Sequence, residues 1–242
     1  MANNPLVGAW ERVSDSSVGV LIYTGSHYVA VMAPKDRQRS SGEPTPDEAL
    51  EALLTCPALA GTYTLSGSRI TQVRESNTRP ELSKLSAVFD YTIDGDTMTQ
   101  TVVSGTGGAA ASGSSLTFRR IPGSDTGSPL VGAWEMVDDT EQEVIIFTGT
   151  HHAVVRMHKE RDLPKGEQYT PEEALTALYT SGAQAGPYTL SGTTLTLERT
   201  AHLRPERVGE NAVLEITVEG DMLETRAVSG VSVSDVTWRR VS

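Results

Sequence analysis

Short runs in which apolar and polar residues alternate follow one another along the chain, each closed by turn formers. In the first half they cover 6–13, 18–24, 27–33, 61–66, 68–75, 86–93, 97–104 and 115–121, the signature of half-buried β-strands. Thr24-Gly25-Ser26, Ser66-Gly67 and Asp94-Gly95-Asp96 join neighbouring runs by tight connections of hairpin type. One stretch changes period. Thr45, Pro46 and Glu48 make a capping box with proline in the first turn. Ala49, Leu50, Leu53 and Leu54 then form a stripe at helical spacing, which predicts a helix laid on the sheet.

The second half repeats the first. PLVGAWE stands at 5–11 and at 129–135, VLIYTGSHYVAV (20–31) meets VIIFTGTHHAVV (144–155), and TPDEALEALLT (45–55) meets TPEEALTALYT (170–180). GTYTLSG (61–67) meets GPYTLSG (186–192), RPE recurs at 79–81 and 204–206, and LTFRR (116–120) meets VTWRR (236–240). The sequence therefore predicts two homologous domains, 5–121 and 129–241. Between them PGSDTGS (122–128) has the composition of a linker.

Eight short antiparallel strands and one helix in about 115 residues predict a closed barrel, because closure removes exposed edges and at eight strands leaves room for one small ligand. The expected fold is all-β: two tandem eight-stranded antiparallel barrels, each with one short helix between strands 3 and 4. GAW at the start, the hairpin into YTGSHYVAVMAPKDRQR, and GTYTLSG followed by RPE resemble the bacterial lipocalin-like domain, within the calycin barrels. That resemblance implies a first-strand G-x-W paired with an arginine of the last strand. Here these are Gly8 and Trp10 with Arg119 or Arg120, and Gly132 and Trp134 with Arg239 or Arg240. Single-domain relatives often carry a strand histidine where this chain has Gln72 and Arg74, or Leu197 and Arg199, so no chemistry tied to that histidine carries over.

Composition narrows the function classes. Hydrophobic residues at 38% and charged residues at 21% describe an ordinary globular protein. No apolar run approaches the ~20 residues of a membrane span, and no signal pattern follows Met1. Cys56 is the single cysteine, so no intrachain disulfide forms and a cytoplasmic setting is expected. The net charge of −11 argues against nucleic acid and anionic membrane surfaces as partners. Residues 1–121 carry 10 basic and 12 acidic groups, residues 122–242 carry 10 and 19, so the excess charge lies in the second copy.

No nucleophile elbow or phosphate loop is present, and SGTGGAAASGSS (104–115) lacks the lysine and following helix of a phosphate cradle. His151 and His152 are adjacent on a strand and point to opposite faces, while His158 and His202 match no ligand spacing, so no metal is expected. His27 and His151 follow the hairpin glycine, where each closes the turn or stands at the barrel mouth as an acid–base group. Cys56, followed by proline and replaced by Ser181 in the second copy, reads as an inert thiol. Arg79 and Arg204 each pair most simply with the glutamate of their own RPE loop.

Placing the phase with the larger apolar residues inside puts His27, Val29, Val31, Tyr63, Ile70, Gln72, Arg74, Phe89, Tyr91, Met98 and Gln100 in the first lumen. The corresponding second set is His151, Tyr188, Leu195, Leu197, Arg199, Leu214, Ile216, Leu223 and Thr225. The first lumen thus keeps more hydrogen-bonding groups, which points to the first copy as the active one. Resemblance implies a cofactor-independent cyclase or isomerase of natural-product, polyketide-type intermediates, since lipocalin-like barrels recur in that chemistry. Tyr63, Arg74, Tyr91 and His27 would then act on the substrate, with Gln72, Gln100, Phe89, Met98, Tyr188, Arg199 and His151 contacting it. A carrier for a small hydrophobic molecule, returning it unchanged, fits the same features, as does a filled structural module. The duplication itself implies a pseudo-dimeric monomer and leaves a further homo-oligomer open.

Overall fold

The computed structural model describes residues 4–37, 42–105, 111–123, 127–166, 168–230 and 235–242. In the first half β1 (Gly8–Arg12), β2 (Ser17–Tyr23), β3 (His27–Pro34), β4 (Ala58–Ser66), β5 (Arg69–Asn77), β6 (Ser86–Asp94), β7 (Thr97–Ser104) and β8 (Ser115–Arg120) follow one another. They form one closed antiparallel barrel in sequence order, with α1 (Pro46–Thr55) between β3 and β4. The second half contributes β9 (Gly132–Met136), β10 (Glu141–Phe147), β11 (His151–His158), β12 (Ser181–Ser191), β13 (Thr194–Glu198), β14 (Ala201–His202), β15 (Asn211–Glu219), β16 (Met222–Ser229) and β17 (Val236–Arg240). Helix α2 (Pro171–Tyr179) lies between β11 and β12. Strand β17 pairs with β9 and β11 with β12, so a second eight-stranded barrel closes and the two-residue β14 rides on β12. Residues 106–110 of the glycine-rich loop and 124–126 of the linker lie outside the described residues.

The repeated heptapeptide plugs each barrel. Trp10 Nε1 donates to the Leu6 carbonyl at 2.7 Å, and the Arg120 guanidinium lies 4.1 Å above the Trp10 ring. The same guanidinium donates to the carbonyls of Val7 and Pro5, at 2.9 and 2.8 Å. Trp134 and Arg240 repeat this on Leu130, Val131 and Pro129, with 4.0 Å between guanidinium and ring. Of the two arginines ending each copy, the second is therefore the one that stacks. The glycine of the motif turns the chain at positive φ, and a Cβ on Gly132 would stand 2.4 Å from the Ser242 carbonyl oxygen.

Both helices start as expected, with reciprocal capping boxes at Thr45–Glu48 and Thr170–Glu173. Their packing differs. Rather than lying only on its own sheet, α1 buries Ala49, Ala52 and Leu53 where α2 brings Ala174, Ala177 and Leu178, and Leu54 is left 50% exposed.

The barrels meet side to side. Val20, Ile22, Val29, Val31 and Ala60 of the first share one core with Val144, Ile146, Val155, Ala183 and Ala185 of the second. This seam reverses one expectation. Alternation predicts His27, Val29 and Val31 inside the first barrel and His151 inside the second, yet these side chains face outward into the seam. Tyr28 and Ala30 point into the first lumen and Val154 into the second, where the His152 ring packs 6.4 Å from Phe147. Strands covered on both faces are apolar in both phases, so hydrophobicity alone does not tell inside from outside.

Candidate functional site

The first lumen is largely filled. Tyr63 accepts a hydrogen bond from Asn4 Nδ2 and donates to the Thr24 carbonyl, both at 2.6 Å, which leaves its hydroxyl committed to the barrel end. Gln72 and Gln100 both donate to the Tyr23 hydroxyl, at 2.7 and 2.9 Å. Tyr91 stands half-buried near a hairpin, reaching the Gly67 carbonyl at 3.5 Å, and Met98 is enclosed by the core. About 130 Å³ remains open, lined by Gln72, Arg74, Phe89 and Gln100 together with Met32 and Leu116. Of the four residues expected to act on substrate, only Arg74 lines this space. Tyr63 and Tyr91 are bonded elsewhere, and His27 lies on the opposite face of its strand.

The second barrel holds a cavity of about 420 Å³. It runs from a lumen walled by Ile145, Val154, Leu197, Leu214 and Trp238 to a mouth beneath Leu178 and Tyr179 of α2. Arg199 and Thr225 line it as expected, whereas Tyr188 is tied to the Thr148 carbonyl at 2.8 Å. His151 is turned into the seam, where its Nδ1 meets Thr150 Oγ1 at 2.9 Å and burial lowers its pKa.

Its other polar lining residues include Glu143, Arg156 and Gln184, which were not anticipated. In the first copy their positions hold Gly19, Met32 and Leu59. Met32 packs over Gly19 there, since a Cβ on Gly19 would stand 2.8 Å from Met32 Cγ. A comparison of the two copies at inward positions exposes this contrast, but only once the correct phase is known. The larger cavity, with more charged lining groups, is therefore in the second copy, whereas the sequence pointed to the first.

Glu143 is the unusual group. Burial pushes its carboxyl up to about 7, the nearby Arg156 opposes that rise and Glu141 adds to it. Its Oε2 is buried without a hydrogen-bond partner. Arg156 lies 3.5 Å from Glu141, which also meets His158 at 3.0 Å. Arg199 donates through Nε to Gln184 Oε1 at 2.6 Å and through Nη2 to the Gly230 carbonyl, and its Nη1 stands 3.6 Å from Glu210. A buried carboxyl with a raised pKa and a guanidinium thus line one partly apolar cavity.

His202, Arg204 and Arg207 also line this cavity. Arg79–Glu81 and Arg204–Glu206 pair within their loops at 2.7 and 2.6 Å. Burial raises the Cys56 thiol to about 11, consistent with an unreactive cysteine. His202 is not a free surface group: burial lowers its pKa to about 3 and its Nδ1 accepts from the Arg204 amide. At the seam, donor atoms of His27, Glu75 and Glu135 lie within 4.8 Å of one another. Ser26 meets His27 Nδ1 and Thr62 donates to Glu75, contacts that account for two of the three without an ion.

No protein family model matches the chain, and no curated protein resembles it. Among solved structures, an uncharacterized protein of Saccharomyces cerevisiae is similar over 98% of both chains, at 12% identity and a TM-score of 0.46. The DNA polymerase sliding clamp of Pseudomonas aeruginosa matches all of this chain and 59% of its own, at 7% identity and a TM-score of 0.16. The DNA polymerase III β subunit of Thermotoga maritima gives 8% identity, 57% of its own length and a TM-score of 0.15. At such scores none of them carries an argument about activity. No helix among the described residues is long and apolar enough to cross a membrane.

Proposed function

We propose that the second barrel binds one small, largely apolar molecule and converts it to an isomer without a cofactor, using Glu143 to move a proton. The carrying observation is the Glu143 carboxyl, raised to about 7 and unpartnered at Oε2 in a 420 Å³ cavity. A carboxyl of that pKa is half ionised near neutrality and exchanges protons with carbon or oxygen acids in either direction. Arg199 supplies positive charge where an enolate oxygen develops. The walls around Leu197, Leu214 and Trp238 fold a flexible chain into a reactive shape, which suits cyclisation. The likeness of GAW, YTGSHYVAV and GTYTLSG to the bacterial lipocalin-like domain supports the same reading and points to natural-product, polyketide-type substrates.

Proton transfer to carbon is tested with 2-tetralone as an enolisable probe in deuterated buffer. The wild-type chain should accelerate deuterium uptake at the α-carbon above the buffer rate, and Glu143→Gln should return uptake to that rate. Uptake identical in both would remove Glu143 from the chemistry. A carrier role is favoured by the rest of the lining, none of which requires turnover. Binding of 2-tetralone with no exchange above buffer would establish that role instead.

A further inference from the structure

The two structurally equivalent arginines are not equally satisfied. Arg199 has Gln184 on Nε and a counter-charge, Glu210, 3.6 Å from Nη1, although Nη1 itself makes no hydrogen bond. Arg74, only 2% exposed, has leucines at both equivalent positions, Leu59 and Leu85. Its Nη2 donates to the Gly105 carbonyl at 2.6 Å, while Nε and Nη1 are buried with no partner. Among the described residues no carboxylate pairs with it. A buried guanidinium without a counter-charge is costly, and a hydrogen-bonded anion relieves that cost.

The space beside it defines which anion. The cavity of about 130 Å³ is lined by Arg74, Gln72 and Gln100 together with the apolar Met32, Leu59 and Leu116. That volume is close to the size of protein cavities that take a guest of about six heavy atoms, so only a small anion fits. We infer that the first barrel is a site for a short-chain carboxylate of about butyrate size, its oxygens on the free guanidinium N–H groups of Arg74 and its alkyl end on the apolar wall. This site is separate from the second-barrel cavity and does not depend on any reaction there.

Calorimetry of the full chain with butyrate, butyramide and chloride tests it. One butyrate per chain should bind, with butyramide and chloride at least ~10-fold weaker, because only the carboxylate combines charge with an apolar tail. Arg74→Gln should weaken butyrate by at least ~10-fold. The double variant Leu59→Gln, Leu85→Glu keeps Arg74 and installs the partners that Arg199 has. It should lose butyrate by a similar factor while its thermal midpoint holds or rises. Butyramide or chloride binding as well as butyrate, no butyrate heat at tens of millimolar, or an unaffected double variant would each overturn the inference. So would loss on Arg199→Gln with retention on Arg74→Gln, which would put the anion in the other barrel.

Discussion

Arg37 and Arg161 occupy reciprocal positions across the seam between the barrels. Arg37 donates to the carbonyls of His202 and Leu203 at 2.8 and 2.6 Å, and Arg161 to those of Asn77 and Thr78 at 2.6 and 3.3 Å. The acceptors are equivalent residues of the two copies, so a near half-turn exchanges one contact for the other, as in an isologous interface. Each arginine reaches over its partner barrel and holds the strand end that precedes the RPE turn. The apolar seam thereby has a fixed register.

Arg37→Ala and Arg161→Ala should each destabilise the chain by about 2–3 kcal/mol, since each strips charged donors from two carbonyls. Urea melts would check this. Losses differing by more than about 1 kcal/mol would show that the two ends of the seam are energetically unequal.

Glu143 has a definite pH signature. Its folded pKa, about 7, lies above the ordinary carboxyl value of 4.5, so the folded state binds the extra proton between those values and Glu143 lowers stability as pH rises through that window. Glu143→Gln should match wild type near pH 4 and exceed it by roughly 3 kcal/mol at pH 8. A difference independent of pH, measured by chemical denaturation across that range, would refute the perturbed carboxyl.

His152 acts in the opposite sense. Burial, with positive charge nearby at His151 and Arg199, lowers its pKa from 6.5 to about 3. The unfolded chain therefore binds the extra proton between those values, and stability is lost as pH falls from 6.5 toward 3. His152→Tyr, the residue of the first copy at Tyr28, should move the acid-unfolding midpoint to lower pH. An unchanged midpoint in acid titrations followed by far-ultraviolet circular dichroism would contradict this.

Gly132→Ala should cost at least ~2 kcal/mol, because φ is +134° and the new Cβ would meet the Ser242 carbonyl oxygen at 2.4 Å. Gly192→Ala shares a positive φ of +62° but has open space around it, and should cost about 1 kcal/mol. Thermal melts that rank the two in the opposite order would show that the contact with Ser242 is dispensable.

Tryptophan fluorescence offers a check on which cavity is used. Trp238 lines the second cavity, whereas Trp10 and Trp134 are enclosed beneath their arginines. Quenching by bound 2-tetralone should fall by more than half in Trp238→Phe. Quenching that survives intact would place the probe elsewhere.

Strand positions, the two capping boxes and the duplication were all legible along the chain, because each depends on residues a few places apart or on the identity of two copies. Turn glycines and the two-residue period act locally, and the barrels follow once eight such strands must hide their edges. The inward face of β3 and β11 was not legible. Val29 and Tyr28, or His151 and His152, are both compatible with burial, and only the apolar cover supplied by the other barrel decides which one turns inside. That non-local cover displaced His27 and His151 from the lumens and brought Glu143 and Arg156 into the second one. The difference between the two lumens reflects another contact, Met32 settling over Gly19 where Arg156 and Glu143 stand opposite each other on neighbouring strands in the other copy. Local pattern specified the strands; what each strand faced was set by packing between segments more than a hundred residues apart, which no window of sequence contains.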